Sequence, residues 1–437
     1  MQRFFTRLTG ISAIALVSVI SGLTQTQTPT TTPAPAAKEK KVKDQGEYDL
    51  FTGVTKETDP AKKLALLNTW KEKYPDSDYK LERLQFILAA YQQLNQPAKM
   101  IDTAKEILAV DPKDIQALYW ISTLTPTLGN TSPDALDLGE KAANGLLVAE
   151  KPATATDDAW KTAKTQTDAI AYSTLGWIAN IRKNYDVAET NFKKSEEINP
   201  NAAQVSYWLG NVILSEKKPE RQSEALYDIA RAATYDGPGS LTPDGRKTID
   251  TYLTKAYTTL HGDQTGLSDL KAQAKASAIP PANFHIQTAA EVAAAKDEEL
   301  KKTNPQLAIW LGIKGQLLGP DGQTYFDGSM KGAAVPKLKG WLVAAKPAVK
   351  SKELLVNMEG KDESSANVTL KLVGSDGTPL ALTGKAEVGV EIEFEGVPES
   401  FTKEPFMVTF NVEKAKITGL KVDAVAPAHR PVHKKAS

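Results

Sequence analysis

Ala169-Ile-Ala-Tyr172-Ser-Thr-Leu175-Gly176-Trp-Ile-Ala-Asn-Ile-Arg-Lys-Asn-Tyr-Asp-Val-Ala188-Glu-Thr-Asn-Phe192-Lys-Lys-Ser-Glu-Glu-Ile-Asn-Pro200 decides the fold. Small and apolar residues recur through it at helical spacing, and a proline closes it. A shift of 34 residues lands Leu175-Gly176 on Leu209-Gly210. A common pitch of this length is the signature of stacked structural repeats. The small residues Gly176, Gly210 and Ala188 let two helices approach closely, while Leu175, Leu209 and Phe192 fill the gaps between neighbouring hairpins. Pro200 and Pro112 stop one helix so that the next can reverse.

Working outward, Ala225, Ile229 and Ala232 resume the second-helix positions after a few extra residues at Glu216 to Gln222. Upstream, Asp111-Pro112 closes a unit whose first helix runs Leu81 to Leu94 and whose second carries Met100, Ala104 and Ile107. Glu47 to Pro75, Ile115 to Val148 and about Ile249 to Pro280 are weaker units, as expected where a terminal face is capped rather than stacked. Ala149 to Asp168 breaks the period, with Thr156-Asp157-Asp158 opening a short extra helix.

Tyr172-x₂-Leu175-Gly176, Ala188-x₃-Phe192 and Pro200 resemble the tetratricopeptide family. The expected fold is therefore an α-helical tetratricopeptide solenoid of about six hairpins over residues 47–280. The resemblance implies a concave surface, formed mainly by the first helix of each repeat, that takes up an extended peptide or a partner helix. Carried over, its inward-facing positions are Ile170, Ser173, Trp177, Asn180 and Ile181, then Gln204, Tyr207, Asn211 and Leu214. The poorer repeats add Gln85, Gln92 and Tyr119. The alternative is that Trp177 and Tyr207 pack against neighbouring helices. The branch of the family that clamps a peptide carboxylate places a Lys one turn before an Asn; here Tyr207 stands before Asn211, which speaks against that clamp.

At 437 residues the chain exceeds the roughly 250–300 at which a single core stops growing, so more than one domain is expected. Residues 1–23 hold Arg3 and Arg7, then an apolar run from Ile11 to Leu23, the pattern of a secretory signal. The expected location is periplasmic or secreted, with no stable membrane span unless the signal stays uncleaved. Residues 24–46, rich in Thr, Pro, Ala and Lys, read as an extended linker. There are 53 basic and 53 acidic residues, so no global field draws the molecule to nucleic acid. The absence of cysteine excludes a lipoprotein anchor, disulfides and thiolate metal sites.

Residues 281–335 read as a helical connector, with Ile286 to Thr303 and Asn304 to Leu317 helical and Gly315 to Gly332 a region of turns. From 336 to 421 the period becomes two. Leu338 to Ala344, Glu353 to Met358, Val368 to Leu372, Val390 to Gly396 and Phe406 to Val412 give a small all-β domain of five antiparallel strands. Its size suggests an OB-like barrel, and Lys385 to Gly396 resembles the fourth strand of such barrels. Residues 422–437 read as a disordered tail.

A search for chemistry returns little. The sequence has no nucleophile elbow, Walker loop or dinucleotide fingerprint. His261 precedes Gly262 at a helix end, where a favourable dipole interaction explains it. His429 and His433 sit in the tail. Glu391, Glu393 and Glu395 read as a solvated strand face. No catalytic residue, cofactor or metal is expected, and the partner is a protein or peptide of unknown identity. The rival reading is a ligand-binding barrel, taking an oligosaccharide or single-stranded nucleic acid, with Trp341, Phe394, Phe401, Phe406 and Phe410 beside Lys337, Lys339 and Lys346.

Overall fold

The computed structural model describes residues 40–362 and 365–423. The segment expected to be a secretory signal and most of the expected linker and tail lie outside them. Contacts divide the chain into one unit up to Ala289 and a second from Ala290.

Six helical hairpins make the first unit: α1 Gln45–Lys56 with α2 Pro60–Lys73, α3 Lys80–Gln93 with α4 Pro97–Val110, and α5 Ile115–Leu128 with α6 Pro133–Leu147. They continue as α7 Asp157–Ile181 with α8 Tyr185–Ile198, α9 Ala203–Ser215 with α10 Gln222–Thr234, and α11 Pro243–His261 with α12 Leu267–Ala276. The array has the expected form, a run of six helical hairpins. Pro60, Pro97 and Pro133 each open a second helix, where the missing N–H costs nothing and the fixed φ is already helical. The Asp59 carboxylate accepts from the Lys62 N–H at 2.9 Å, and the Ser132 hydroxyl accepts from the Ala135 N–H at 3.4 Å.

The turn inside every hairpin but the first carries the pitch. Asn95, Gly129, Lys183, Lys217 and Gly262 all have positive φ there, between 51° and 100°. Asn95 and Gly129 stand 34 residues apart, as do Lys183 and Lys217. Between Gly129 and Lys183 the interval grows by the insertion Ala149–Asp168. That insertion forms no separate helix. Thr156 caps Asp157, and the same helix runs on for 25 residues into the fourth hairpin as α7.

Close approach sits where the small residues predict it. A Cβ on Gly176 would lie 2.6 Å from the Phe192 ring, and one on Gly210 would lie 2.7 Å from the Ala225 carbonyl oxygen. Successive hairpins are joined by polar contacts as well. Pro126 lies inside α5 and cannot donate to the carbonyl of Ser122. The Thr174 hydroxyl of α7 donates to that carbonyl instead, at 2.9 Å and fully buried. Arg231 of α10 donates to the carbonyls of Ala274 and Lys275 at the end of α12 and to that of Pro200, pinning three segments.

The first unit runs past Pro280, the expected boundary. Phe284 meets Tyr227 edge-on at 5.0 Å, and Ile286 is buried in the same cluster. At the other end the helix begins at Gln45, capped by Asp44, and Lys40 pairs with Glu82. One flank of α11 carries Thr251, Thr254, Thr258 and Thr259, and each hydroxyl donates to the carbonyl four residues earlier in its own helix.

In the second unit α13 (Ala289–Thr303) buries no residue, while α14 (Pro305–Leu318) buries Trp310, Ile313 and Leu317 in the core of the β domain. The glycine-rich stretch expected as turns is partly helical: Gly322–Tyr325 and a wide turn Phe326–Met330 send Phe326 and Met330 into that core. Apolar residues spaced four apart there override the glycines.

The strands are β1 Leu338–Lys346, β2 Glu353–Asn357, β3 Val368–Val373, β4 Lys385–Ala386, β5 Glu391–Phe394, β6 Val397–Lys403, β7 Phe406–Glu413, β8 Ile417–Thr418 and β9 Val422–Asp423. One sheet runs β6-β7-β3-β2-β1-β5-β8, and β4 pairs with β9. β5 and β6 are consecutive, broken only at Glu395-Gly396; the first pairs with β1 and the second with β7, so the sheet returns on itself. The five expected strands are present as β1, β2, β3, β5 and β7, whereas β6, which follows on from β5, and the short β4, β8 and β9 were not expected. The all-antiparallel expectation fails at one place, because β3 and β7 run parallel. Alternation seen in sequence fixes which side chains point inward and leaves strand direction open.

Candidate partner-binding surface

The first helices of four consecutive hairpins share a chemical property. α3 from Leu84 to Gln93, all of α5, α7 from Ala169 to Ile181 and all of α9 contain no charged residue. The second helices that follow are charged, with Lys99, Asp102, Lys105 and Glu106 on α4 and six ionisable residues between Asp186 and Glu197 on α8. Hydrogen bonds tie the uncharged helices together. The Gln85 amide donates to the Asp114 carboxylate at the start of α5 at 2.9 Å, and Thr174 links α7 to α5 as above. The other Asp114 oxygen accepts from the Ala117 N–H at 2.8 Å, so this carboxylate caps α5. Its burial raises its pKa.

Ten of the twelve positions expected to face a partner are half-buried, neither sealed in the core nor fully in water: Gln85, Gln92, Ile170, Ser173, Asn180, Ile181, Gln204, Tyr207, Asn211 and Leu214. Two are not on the surface. Trp177 is 6% exposed and belongs to the buried cluster of Leu136, Phe192, Leu209 and Ile213. Tyr119 is 3% exposed and stacks edge-on against Trp120 at 5.1 Å. Both rings fill volume between hairpins, which is the packing alternative for Trp177. Tyr207 stays accessible, and its burial on one side raises its pKa. The Asn211 amide donates to the Tyr207 carbonyl at 2.6 Å, and the Ser173 hydroxyl to that of Ile170 at 2.9 Å.

Sequence reasoning missed Phe86 and Tyr91, half-buried on α3, and Tyr252, 38% exposed on α11. The runs free of charge were the signal that could have found the two on α3.

Ion pairs gather on α8, on α10 and on the turn that joins α9 to α10. The Arg221 guanidinium donates to Glu189 at 2.7 and 2.8 Å, to Glu216 at 2.8 Å and to Glu224 at 2.6 Å. Lys193 reaches Glu189 at 2.8 Å and Glu224 at 2.9 Å. Arg221 holds the Glu189 carboxyl down at about 2. Beneath this network lie two buried carboxyls. Glu196 accepts from the Ser206 hydroxyl at 2.6 Å, whereas Asp228, 2% exposed, has an Oδ2 with no hydrogen-bond partner. Burial first, and the charge of Glu196 second, push the Asp228 pKa well above the ordinary carboxyl range.

The β domain has a cleft of about 350 Å³ where the start of α14, β1 and the end of β2 meet. Trp341 lines it, with the Lys361 ammonium 4.1 Å from its ring centre. Glu391 and Glu393, expected as a solvated face, pair across to Lys339 at 2.7 Å and Lys337 at 3.9 Å. Phe394 and Phe410 are fully buried and contact each other at 5.6 Å, so they are core. Lys314 and Trp310 both bond Glu359 beside the cleft. His261 donates from Nδ1 to the Gln287 carbonyl at 2.8 Å and is 8% exposed.

No family model and no curated protein matches the chain. Among solved structures it is similar to TTC0263, a thermophilic tetratricopeptide protein of Thermus thermophilus. The two are 14% identical, the match covering 48% of this chain and 95% of that one, at a TM-score of 0.27. It is also similar to the tetratricopeptide domain of P58(IPK), at 13% identity over 65% of this chain and 68% of that one, with a TM-score of 0.24. Among the described residues no helix is long and apolar enough to cross a membrane.

Proposed function

We propose that this chain is a non-enzymatic interaction scaffold of the bacterial cell envelope, exported by its N-terminal segment, that holds a polypeptide partner along the first helices of its repeats. The observation that carries this reading is the row of half-buried amide, aromatic and aliphatic side chains on consecutive first helices, from Gln85 to Leu214. Such side chains can bond a partner's backbone and cover its apolar groups at once. Site-specific photo-crosslinking in cells tests it. A crosslinker at Gln204 or Leu214 is expected to trap a protein that one at Val187, exposed on α8, does not. Equal adducts from both faces would sink the reading.

A second reading concerns the β domain. We infer that its ring of pairings, with β3 and β7 parallel and one broken strand bridging β1 to β7, makes it an OB-like barrel that serves as a second contact module. Trp341 in its cleft supports this. Of the lysines there, Lys339 and Lys314 are matched by Glu391 and Glu359, which favours an uncharged oligosaccharide over a nucleic acid, whose phosphates need several unmatched cations. Titration of the full chain with neutral glycans and with oligonucleotides, followed by Trp341→Ala, distinguishes the two.

A further inference from the structure

We infer that the segment held by the repeats is itself uncharged: an extended stretch of apolar and amide- or hydroxyl-bearing residues, recognised without ion pairs. This rests on the scaffold reading and adds the chemistry of the occupant. The accessible side chains on the charge-free stretches of α3, α5, α7 and α9, among them Gln92, Asn180, Gln204, Tyr207, Asn211 and Leu214, offer hydrogen bonds and apolar area but no charge; the first part of α7, with Asp157, Asp158, Lys161, Lys164 and Asp168, lies outside them. The nearest carboxylate at the head of α5, that of Asp114, is already engaged by Gln85 and by its own helix cap.

A charged side chain brought onto such a wall loses water and finds no counter-charge, which disfavours it strongly. A neutral one loses little. Chance does not explain the partition simply, because the same hairpins place charges on the alternate helices, where Lys193 of α8 pairs with Glu189 and with Glu224 of α10. Beyond α9 the charges return on α11 as Arg246, Lys247, Asp250 and Lys255, and before Leu84 they stand at Lys80, Glu82 and Arg83. The neutral wall therefore has two ends. Helices packed about 8–10 Å apart make its four members roughly 25–30 Å across, a length spanned by about eight residues at ~3.3 Å each.

The test uses the full chain and synthetic peptides about nine residues long, built from Leu, Tyr, Asn, Gln, Ser and Thr, with matched forms carrying two central Glu or two central Lys. Neutral peptides are expected to bind, with the charged forms weaker by about tenfold or more. The affinity of the neutral forms should hold between about 50 and about 500 mM salt. Asn180→Lys, at a helix end where a cation is compatible with the fold, should weaken the neutral peptides and favour the Glu form. Strongest binding by a charged peptide to the unaltered chain, or affinity that falls steeply with salt, overturns the inference and leaves the scaffold reading standing. Absence of binding by every peptide, together with equal photo-adducts at Leu214 and Val187, overturns both.

Discussion

The two helices of each hairpin rise from the same pitch, yet from the second to the fifth hairpin the stretches that keep that pitch differ in charge. The helices that open those hairpins expose amides, hydroxyls and rings, and Thr174 bonds the carbonyl that Pro126 leaves free. The helices that close them gather charge, and beneath one such network lies a carboxyl oxygen with no partner. A repeat constrains volume at a few positions and leaves the chemistry of its two faces independent. The two faces can therefore differ in chemistry without disturbing the pitch.

The largest expected effect tests the packing that both faces share. Gly210→Val should cost about 3 kcal/mol or more, because the added carbon meets a backbone oxygen that cannot turn aside. Gly312→Ala on α14, where a Cβ meets nothing within 4 Å, should be neutral or stabilising in the same thermal melts. Equal melting temperatures for both variants would remove the close-approach argument.

Thr174→Val examines the opening helices alone. It should destabilise by about 1–3 kcal/mol, the cost of an unpaired buried carbonyl. In a Pro126→Ala background the penalty should shrink, since the restored N–H can take over the Ser122 carbonyl. A double-mutant cycle without coupling would show that the two residues act separately.

Asp228→Asn addresses the closing helices. A carboxyl whose folded-state pKa is raised binds its proton more tightly in the folded chain, so its contribution is full below the unfolded value near 4 and is lost as pH rises through the folded one. The variant should therefore gain on the parent as pH rises, by about 1 kcal/mol where the carboxyl ionises. The groups around it are Glu196, Glu224, Glu189, Lys193 and Arg231. Glu189 has the opposite sign: held at about 2, it stabilises above the unfolded value and loses that share only as pH falls towards 2. A parent and variant with parallel stability curves from pH 5 to 9 would exclude the proton on Asp228.

The smallest effect lies at the turns. Lys183→Gly removes a side chain from the left-handed region and should stabilise by about 0.5–1 kcal/mol, seen as a shift of a few degrees in melting.

The helical half of the fold was legible because Gly176, Gly210 and Ala188 mark contacts that admit no larger side chain, and such positions recur visibly. The surface was legible in part. Periodicity names the side of a helix that Trp177 and Tyr119 occupy, but whether a ring on that side meets a partner or the next hairpin depends on the volume left between them. The β domain was readable strand by strand from Val368-Thr-Leu-Lys-Leu372 and its like. Its parallel pair was not, since alternation is identical in either direction. The contribution of Phe326 and Met330 to its core was hidden by the glycines around them.

The threonine flank of α11 has a consequence for how long this array can be. Its hydroxyls are already bound to their own backbone, and the surface they present is wetted rather than adhesive. A seventh hairpin grafted behind α12 would find no dry seam to dock against. Lengthening the array by engineering is expected to succeed only by inserting a unit between existing neighbours, upstream of this built-in stop.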